Sequence, residues 1–154
     1  MSMFPKVKIV RAPEREGLIK ARIRGTLAAK GPTLTFLDSH VECCPGWLEP
    51  LLDRIARDPT TVVCPVIDVI DDGSFYFSWQ NENGLQVGGF KWALTFTWIP
   101  IPERERKRKK FPGEPTRSPT MAGGLFSIDK AFFEKLGMYD PGFDIWVSFK
   151  LYFS

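Results

Sequence analysis

Histidine is almost missing from this sequence of 154 residues: His40 stands alone. No second imidazole is therefore available to a metal site within the chain. Cysteine is scarce as well. Cys43, Cys44 and Cys64 form an odd set, so at least one thiol stays unpaired within the chain. Adjacent cysteines such as Cys43 and Cys44 rarely bridge each other, because the geometry is strained. No Cys-x-x-Cys pair occurs, which argues against a zinc knuckle. No stretch approaches the roughly 20 apolar residues that span a bilayer. The segment from Met1 to Lys8 lacks the apolar centre of a secretory signal. By itself the sequence reads as soluble, without a membrane anchor.

Charge of one sign is also in short supply outside one place. The net charge is +3. The run Glu103-Arg104-Glu105-Arg106-Lys107-Arg108-Lys109-Lys110 holds six basic and two acidic residues, and the rest of the chain is close to neutral. A nucleic-acid surface would interleave stacking aromatics with its charges; here Trp98 and Phe111 only flank them. The expectation is a solvated loop and no nucleic-acid partner.

What is present suits one folded domain. The chain is 44% hydrophobic and 25% charged, ordinary values for a globular protein. A domain of this length buries roughly 70% of its unfolded surface. Lys6–Val10 alternates like a half-buried strand. Leu18, Ile19, Ile23, Leu27 and Ala28 fall near helical spacing, and Gly31-Pro32 stops the helix. Thr33–Leu37 is β-rich. Leu48, Leu51, Leu52 and Ile55 make an amphipathic stripe, ended by Asp58-Pro59. Thr61–Ile70 is β-branched and reads as a buried strand. Strand, helix, strand, helix, strand in that order predicts an α/β fold with a parallel sheet and helical crossovers. Phe75–Trp79 and Phe90–Trp98 are aromatic strand candidates. Asp129 can cap a short helix that stops at Gly137.

Four constellations can carry chemistry. Asp38-Ser39-His40 lies at a strand's carboxyl end, where ligands of such sheets bind. In extended chain Asp38 and His40 point the same way, so a carboxylate oxygen and an imidazole can share one cation. The remaining positions would suit diphosphate oxygens and water around Mn²⁺. The same three residues also describe a plain turn with a solvated His40. Arg15, just before a helix, can reach a phosphate or sit exposed beside two glutamates. Gly123-Gly124 lets backbone approach a ligand or makes a strand bulge. Asp140 to Trp146 offers carboxylates and an aromatic to a sugar, or a Pro-Gly turn with a core tryptophan.

These segments stand in an order that resembles the polypeptide N-acetylgalactosaminyltransferase family: Arg15-Glu16-Gly17-Leu18, Thr35 to His40, Trp47-Leu48 with Pro50-Leu51-Leu52, Val63 to Ile70, Met121 to Phe126, and Asp140 to Trp146. The likeness covers roughly Val7 to Trp146. It implies a Rossmann-like GT-A glycosyltransferase domain with a mixed, mostly parallel sheet and flanking helices. It implies transfer of N-acetylgalactosamine from UDP-GalNAc to Ser or Thr hydroxyls of a peptide acceptor, with Mn²⁺, in the Golgi lumen. By motif position Asp38 and His40 match metal ligands. Arg15 and Ser39 match donor contacts, Gly123 and Gly124 the loop beneath the donor sugar, and Trp146 a residue near that sugar. The family usually continues after this tryptophan with Gly-Gly-Glu-Asn. Here Val147-Ser148-Phe149-Lys150 follows, so the glutamate segment is expected to be absent. The leading uridine strands, the membrane anchor, a later histidine ligand and the lectin domain are not found in these residues. The expectation is a partial catalytic domain over residues 1–154 that does not turn over alone.

Overall fold

The computed structural model describes residues 4–80 and 84–142. They fall into two compact units: one draws on the chain up to Val63 and again from Gly124, the other spans Cys64–Gly123.

The first unit is built on strand β6 (Phe126–Asp129), which pairs antiparallel with β1 (Thr33–Phe36), Leu34 opposite Ile128 and Phe36 opposite Phe126. Its other edge meets Val63: each residue's N–H donates to the other's carbonyl between Val63 and Ser127, at 3.0 and 2.8 Å. Ser127 is thus fully covered, and its hydroxyl shares a 2.9 Å hydrogen bond with that of Thr35. On the alternate face Leu34, Phe126 and Ile128 are buried. Phe36 stacks on Phe126 at 4.7 Å and meets Phe133 and Tyr139 edge-on at 5.7 and 5.9 Å. Aromatic pairs at such separations add to the gain from area alone.

Helix α2 (Glu49–Arg57) lays Leu51 and Ile55, one turn apart, into this core. It ends where Asp58 turns back, its carboxylate accepting from the Thr60 N–H and hydroxyl at 2.9 and 2.6 Å. Helix α4 (Lys130–Lys135) starts on Asp129, whose carboxylate accepts from the Phe132 N–H at 2.8 Å. It stops at Gly137, whose φ of +89° suits glycine. The cap and the stop are as the sequence predicts.

Helix α1 (Gly17–Ala28) departs from its predicted stripe. Ile19 and Thr26 are its buried residues, while Leu18 and Leu27 lie 47% and 66% exposed. Ile19, Arg22 and Thr26 follow one another at three and four residues, so the inward face carries an arginine and a threonine. The Thr26 hydroxyl is satisfied by donating to the Arg22 carbonyl at 3.0 Å. Before the helix, Glu16 accepts from Arg24 Nε at 2.9 Å and from Arg24 Nη2. That arginine holds the Glu16 carboxyl below its ordinary value.

In the second unit β2 (Val69–Ile70) pairs with β3 (Phe77–Ser78), and β4 (Gln86–Phe90) with β5 (Phe96–Pro100), both antiparallel. Thr120 bridges Gly88. The β4–β5 turn closes through Lys91 and Thr95, with Leu94 at a φ of +58°.

Several expectations need correction. The Lys6–Val10 segment is exposed and enters no strand. Thr61–Ile70 is not one buried strand: Val63 makes its bridge, and Val69 and Ile70 are exposed in a separate short pair. Every ladder among the described residues is antiparallel, where a mostly parallel sheet was expected. The reason is that β1 and Val63 both take β6 as neighbour instead of each other. Phe90–Trp98 is not one strand; its middle is the β4–β5 turn.

The charged run is no plain loop. Glu103–Arg108 forms helix α3 after Pro102, with Glu103 and Lys107 paired across one turn. Arg108 reaches Glu105 at 2.8 Å, Glu114 at 2.5 Å and the Pro115 carbonyl at 2.6 Å. The Arg117 N–H donates to Glu105 at 2.7 Å. Arg108 above all, with the Arg117 amide, holds the Glu105 carboxyl down to about 2. Among the described residues, no helix is long and apolar enough to cross a membrane.

Candidate functional site

Strand β1 ends at Phe36, and the chain leaves the sheet through Leu37 and Asp38 into a bend at Ser39 and His40. Asp38 is half-buried, whereas Ser39 and His40 are exposed. The turn that precedes β6 brings Gly124 against the Asp38 carboxylate. A Cβ at Gly124 would stand 3.1 Å from Asp38 Cγ and closer still to Oδ2. Glycine is required here by proximity, since no positive φ is involved.

Arg22 completes the arrangement from the inward face of α1. Its Nη2 donates to the Gly124 carbonyl at 3.3 Å and lies 3.5 Å from Asp38 Oδ1. Its Nη1 donates to the Tyr139 hydroxyl at 3.2 Å, and its guanidinium carbon stands 5.5 Å from the centre of the Phe36 ring. Burial pushes the Tyr139 hydroxyl's pKa upward, with Arg22 pulling against it.

So the structure brings together Asp38 and Gly124 and adds Arg22 and Tyr139, which the sequence reading had missed. The available signal was positional: Arg22 lies three residues after the buried Ile19 and four before the buried Thr26. Arg15 is exposed in the segment just before α1. Gly123 is half-buried and falls at the end of the Cys64–Gly123 unit. Trp146 lies outside the described residues, as do Val147 to Lys150. No three His, Cys, Asp or Glu side chains gather into a metal site among the described residues. Asp38 and His40 are a carboxylate and an imidazole two residues apart, donor types that supply two of the six positions of an octahedral manganese-type shell.

A family model described as glycosyl transferase family 2 matches residues 1–133. The chain belongs to glycosyl transferase family 2. Within it the chain is similar to polypeptide N-acetylgalactosaminyltransferase 5 of Caenorhabditis elegans, 62% identical over 99% of this chain and 25% of the relative. It is likewise similar to the putative polypeptide N-acetylgalactosaminyltransferase 9 of Drosophila melanogaster, at 64% identity over 93% of this chain and 22% of that protein. The crystal structure of GalNAc-T7 with UDP, GalNAc and Mn²⁺ superposes with a TM-score of 0.85 at 41% identity, covering 92% of this chain and 27% of that one. The family-2 chain thus has the fold of part of that glycosyltransferase domain and spans about a quarter of the length of the curated relatives it matches.

Proposed function

We propose that this chain is the donor-gripping portion of a polypeptide N-acetylgalactosaminyltransferase acting in the Golgi lumen. The whole enzyme would move N-acetylgalactosamine from UDP-GalNAc to a Ser or Thr hydroxyl of a peptide acceptor. The anomeric carbon's bond to the diphosphate oxygen breaks, its bond to the hydroxyl oxygen forms with retained configuration, and UDP leaves with the proton that the hydroxyl gives up. The observation that carries this reading is the Asp38 carboxylate at the end of β1, packed against the Gly124 turn and backed by Arg22.

Asp38 and His40 would hold Mn²⁺. When bound, the ion supplies positive charge against the departing diphosphate. Arg15, exposed before α1, adds a cation next to a helix N-terminus, a place that favours phosphate. Ser39 offers a hydroxyl to the donor from the exposed bend. By motif position Gly123, Gly124 and Trp146 would contact the donor sugar.

A second reading concerns this chain by itself: donor binding without transfer. It is favoured by the direct step from Trp146 to Val147-Ser148, with no glutamate between. Calorimetric titration with UDP in Mn²⁺, beside donor hydrolysis and transfer to a Ser/Thr peptide, separates the two. Binding without transfer supports the second reading; binding with transfer supports an active enzyme. No heat at millimolar UDP with Mn²⁺ would remove the donor site altogether.

A further inference from the structure

Helix α3 and the turn that follows it carry seven basic and three acidic residues between Glu103 and Arg117. Every one of those carboxylates is engaged. Glu103 pairs with Lys107, and Glu105 and Glu114 both hold Arg108. Glu105 also accepts from the Arg117 N–H at 2.7 Å, and Glu114 from the Lys110 N–H at 2.6 Å. These bonds fold the chain after α3 back toward the helix, so that Arg117 stands beside Glu105, twelve residues before it in sequence. The Glu105 carboxyl is lowered first by Arg108 and that of Glu114 first by the Lys110 N–H, and the fields of Arg117 and Lys110 add to the effect. The excess of four positive charges therefore sits on a turn held in place by hydrogen bonds. Arg104, Arg106, Lys110 and Arg117 are exposed, and among the described residues no ion pair engages their side chains. Elsewhere in the unit, the Asp71 carboxylate is turned to Ser74 and that of Asp68 to the Gln80 N–H.

Like charges held this close repel one another, and an anionic partner relieves the repulsion. Nucleic acid would also stack its bases on interleaved aromatics, and a membrane surface would take up several apolar side chains. Between Glu103 and Arg117, Phe111 is the one large apolar side chain. An acidic polypeptide needs neither contact. Arg104 to Lys110 extends at most about 12 Å, from a helical rise of about 1.5 Å and an extended rise of about 3.3 Å per residue. About four residues of extended peptide cover that length. We propose that α3 and the turn to Arg117 form a docking surface for an acidic stretch of another polypeptide, whose carboxylates meet Arg104, Arg106, Lys110 and Arg117. Neither Mn²⁺ nor UDP takes part, so this surface and the donor site stand or fall separately.

The test is fluorescence anisotropy on the full chain with a labelled hexaglutamate peptide, beside the same peptide carrying glutamine instead. The glutamate peptide is expected to bind at about 50 mM NaCl and to weaken about tenfold by about 300 mM, as exposed charge pairs do. The glutamine peptide is expected not to bind. Arg104→Gln with Arg106→Gln should lower affinity about five- to tenfold. Its melting temperature should match the parent's, since neither side chain is buried or ion-paired. Lys110→Gln with Arg117→Gln repeats the test from the other side of the turn. Lys6→Gln with Lys8→Gln removes the same charge from exposed positions of the other unit and should leave binding unchanged. Equal losses in all three double variants would reduce the effect to net charge and overturn the proposal. So would the absence of hexaglutamate binding at low salt, or equally tight binding of single-stranded DNA or of phosphatidylserine vesicles.

Discussion

Replacing Gly124 by alanine tests the packing at the centre of the proposed site. The added Cβ would overlap Asp38 Oδ2 and stand 3.1 Å from Cγ and 3.4 Å from Oδ1. Contact at ordinary distances requires the carboxylate to move by about 1 Å, in keeping with the cost of inserting one carbon into packed structure, about 1–3 kcal/mol. Gly124 has no positive φ, so alanine recovers about 0.4–1 kcal/mol by restricting the unfolded chain. The net loss should be about 1–2 kcal/mol, or roughly 2–8 °C in melting temperature for a domain of this size. The displaced carboxylate should weaken UDP binding in Mn²⁺ by about ten- to a hundredfold, as expected when a functional group is misplaced by 1 Å. Gly25→Ala supplies the contrast, because nothing lies within 4 Å of its added carbon. Within α1 that change should stabilise by about 0.5–1 kcal/mol and leave UDP untouched. Melting curves and titrations of the two variants carry the comparison. A Gly124→Ala protein as stable and as avid as the parent would refute the close approach of the turn to Asp38.

Three further outcomes are expected. Gly88→Ala places a carbon 2.6 Å from the Thr120 carbonyl oxygen, a backbone atom that cannot swing away, so the unit should lose about 2–3 kcal/mol in urea denaturation. Asp129→Ala removes the cap of α4 and should cost about 1 kcal/mol, read in the same way. Glu105 has its carboxyl lowered from 4.5 to about 2, so its contribution is fully present above pH 4.5 and fades as the pH falls toward 2. Glu105→Gln should flatten the acid limb of a stability profile of the unit holding it and cost about 1–3 kcal/mol at neutral pH; a profile identical to the parent's would refute the Arg108 arrangement.

Local signals in the sequence carried well into the structure. The Asp129 cap, the Gly137 stop and the Leu51–Ile55 stripe each depend on residues within a turn or two. Asp38 was readable for the same reason, as a polar residue just past a β-rich run. Pairing was not readable, because it is decided between segments far apart in the chain: Thr35 finds Ser127 across 92 residues, and Val63 finds the other side of the same residue. The β-branched run after Thr61 looked buried, yet Val66 and Val69 are exposed, since apolar content does not say which partner covers it. The family likeness supplied the fold where periodicity alone stopped. Arg22 gives no apolar signal, because the inward face of α1 carries a charge at one of its positions.

The central place of β6 has a consequence for how the molecule is made. During synthesis β1 and Val63 emerge long before the strand that joins them, and the whole Cys64–Gly123 unit must be produced in between. In connectivity that unit is a 60-residue excursion between two parts of the other. The entropy of closing such a loop grows only as the logarithm of its length, about 0.6 kcal/mol per doubling. Changing the length of the Cys64–Gly123 segment therefore alters the closure entropy of the other unit only slightly. The same connectivity delays that other unit's folding until Phe126 to Asp129 have left the ribosome, and makes that one four-residue strand the step on which Asp38, Gly124 and Arg22 all wait.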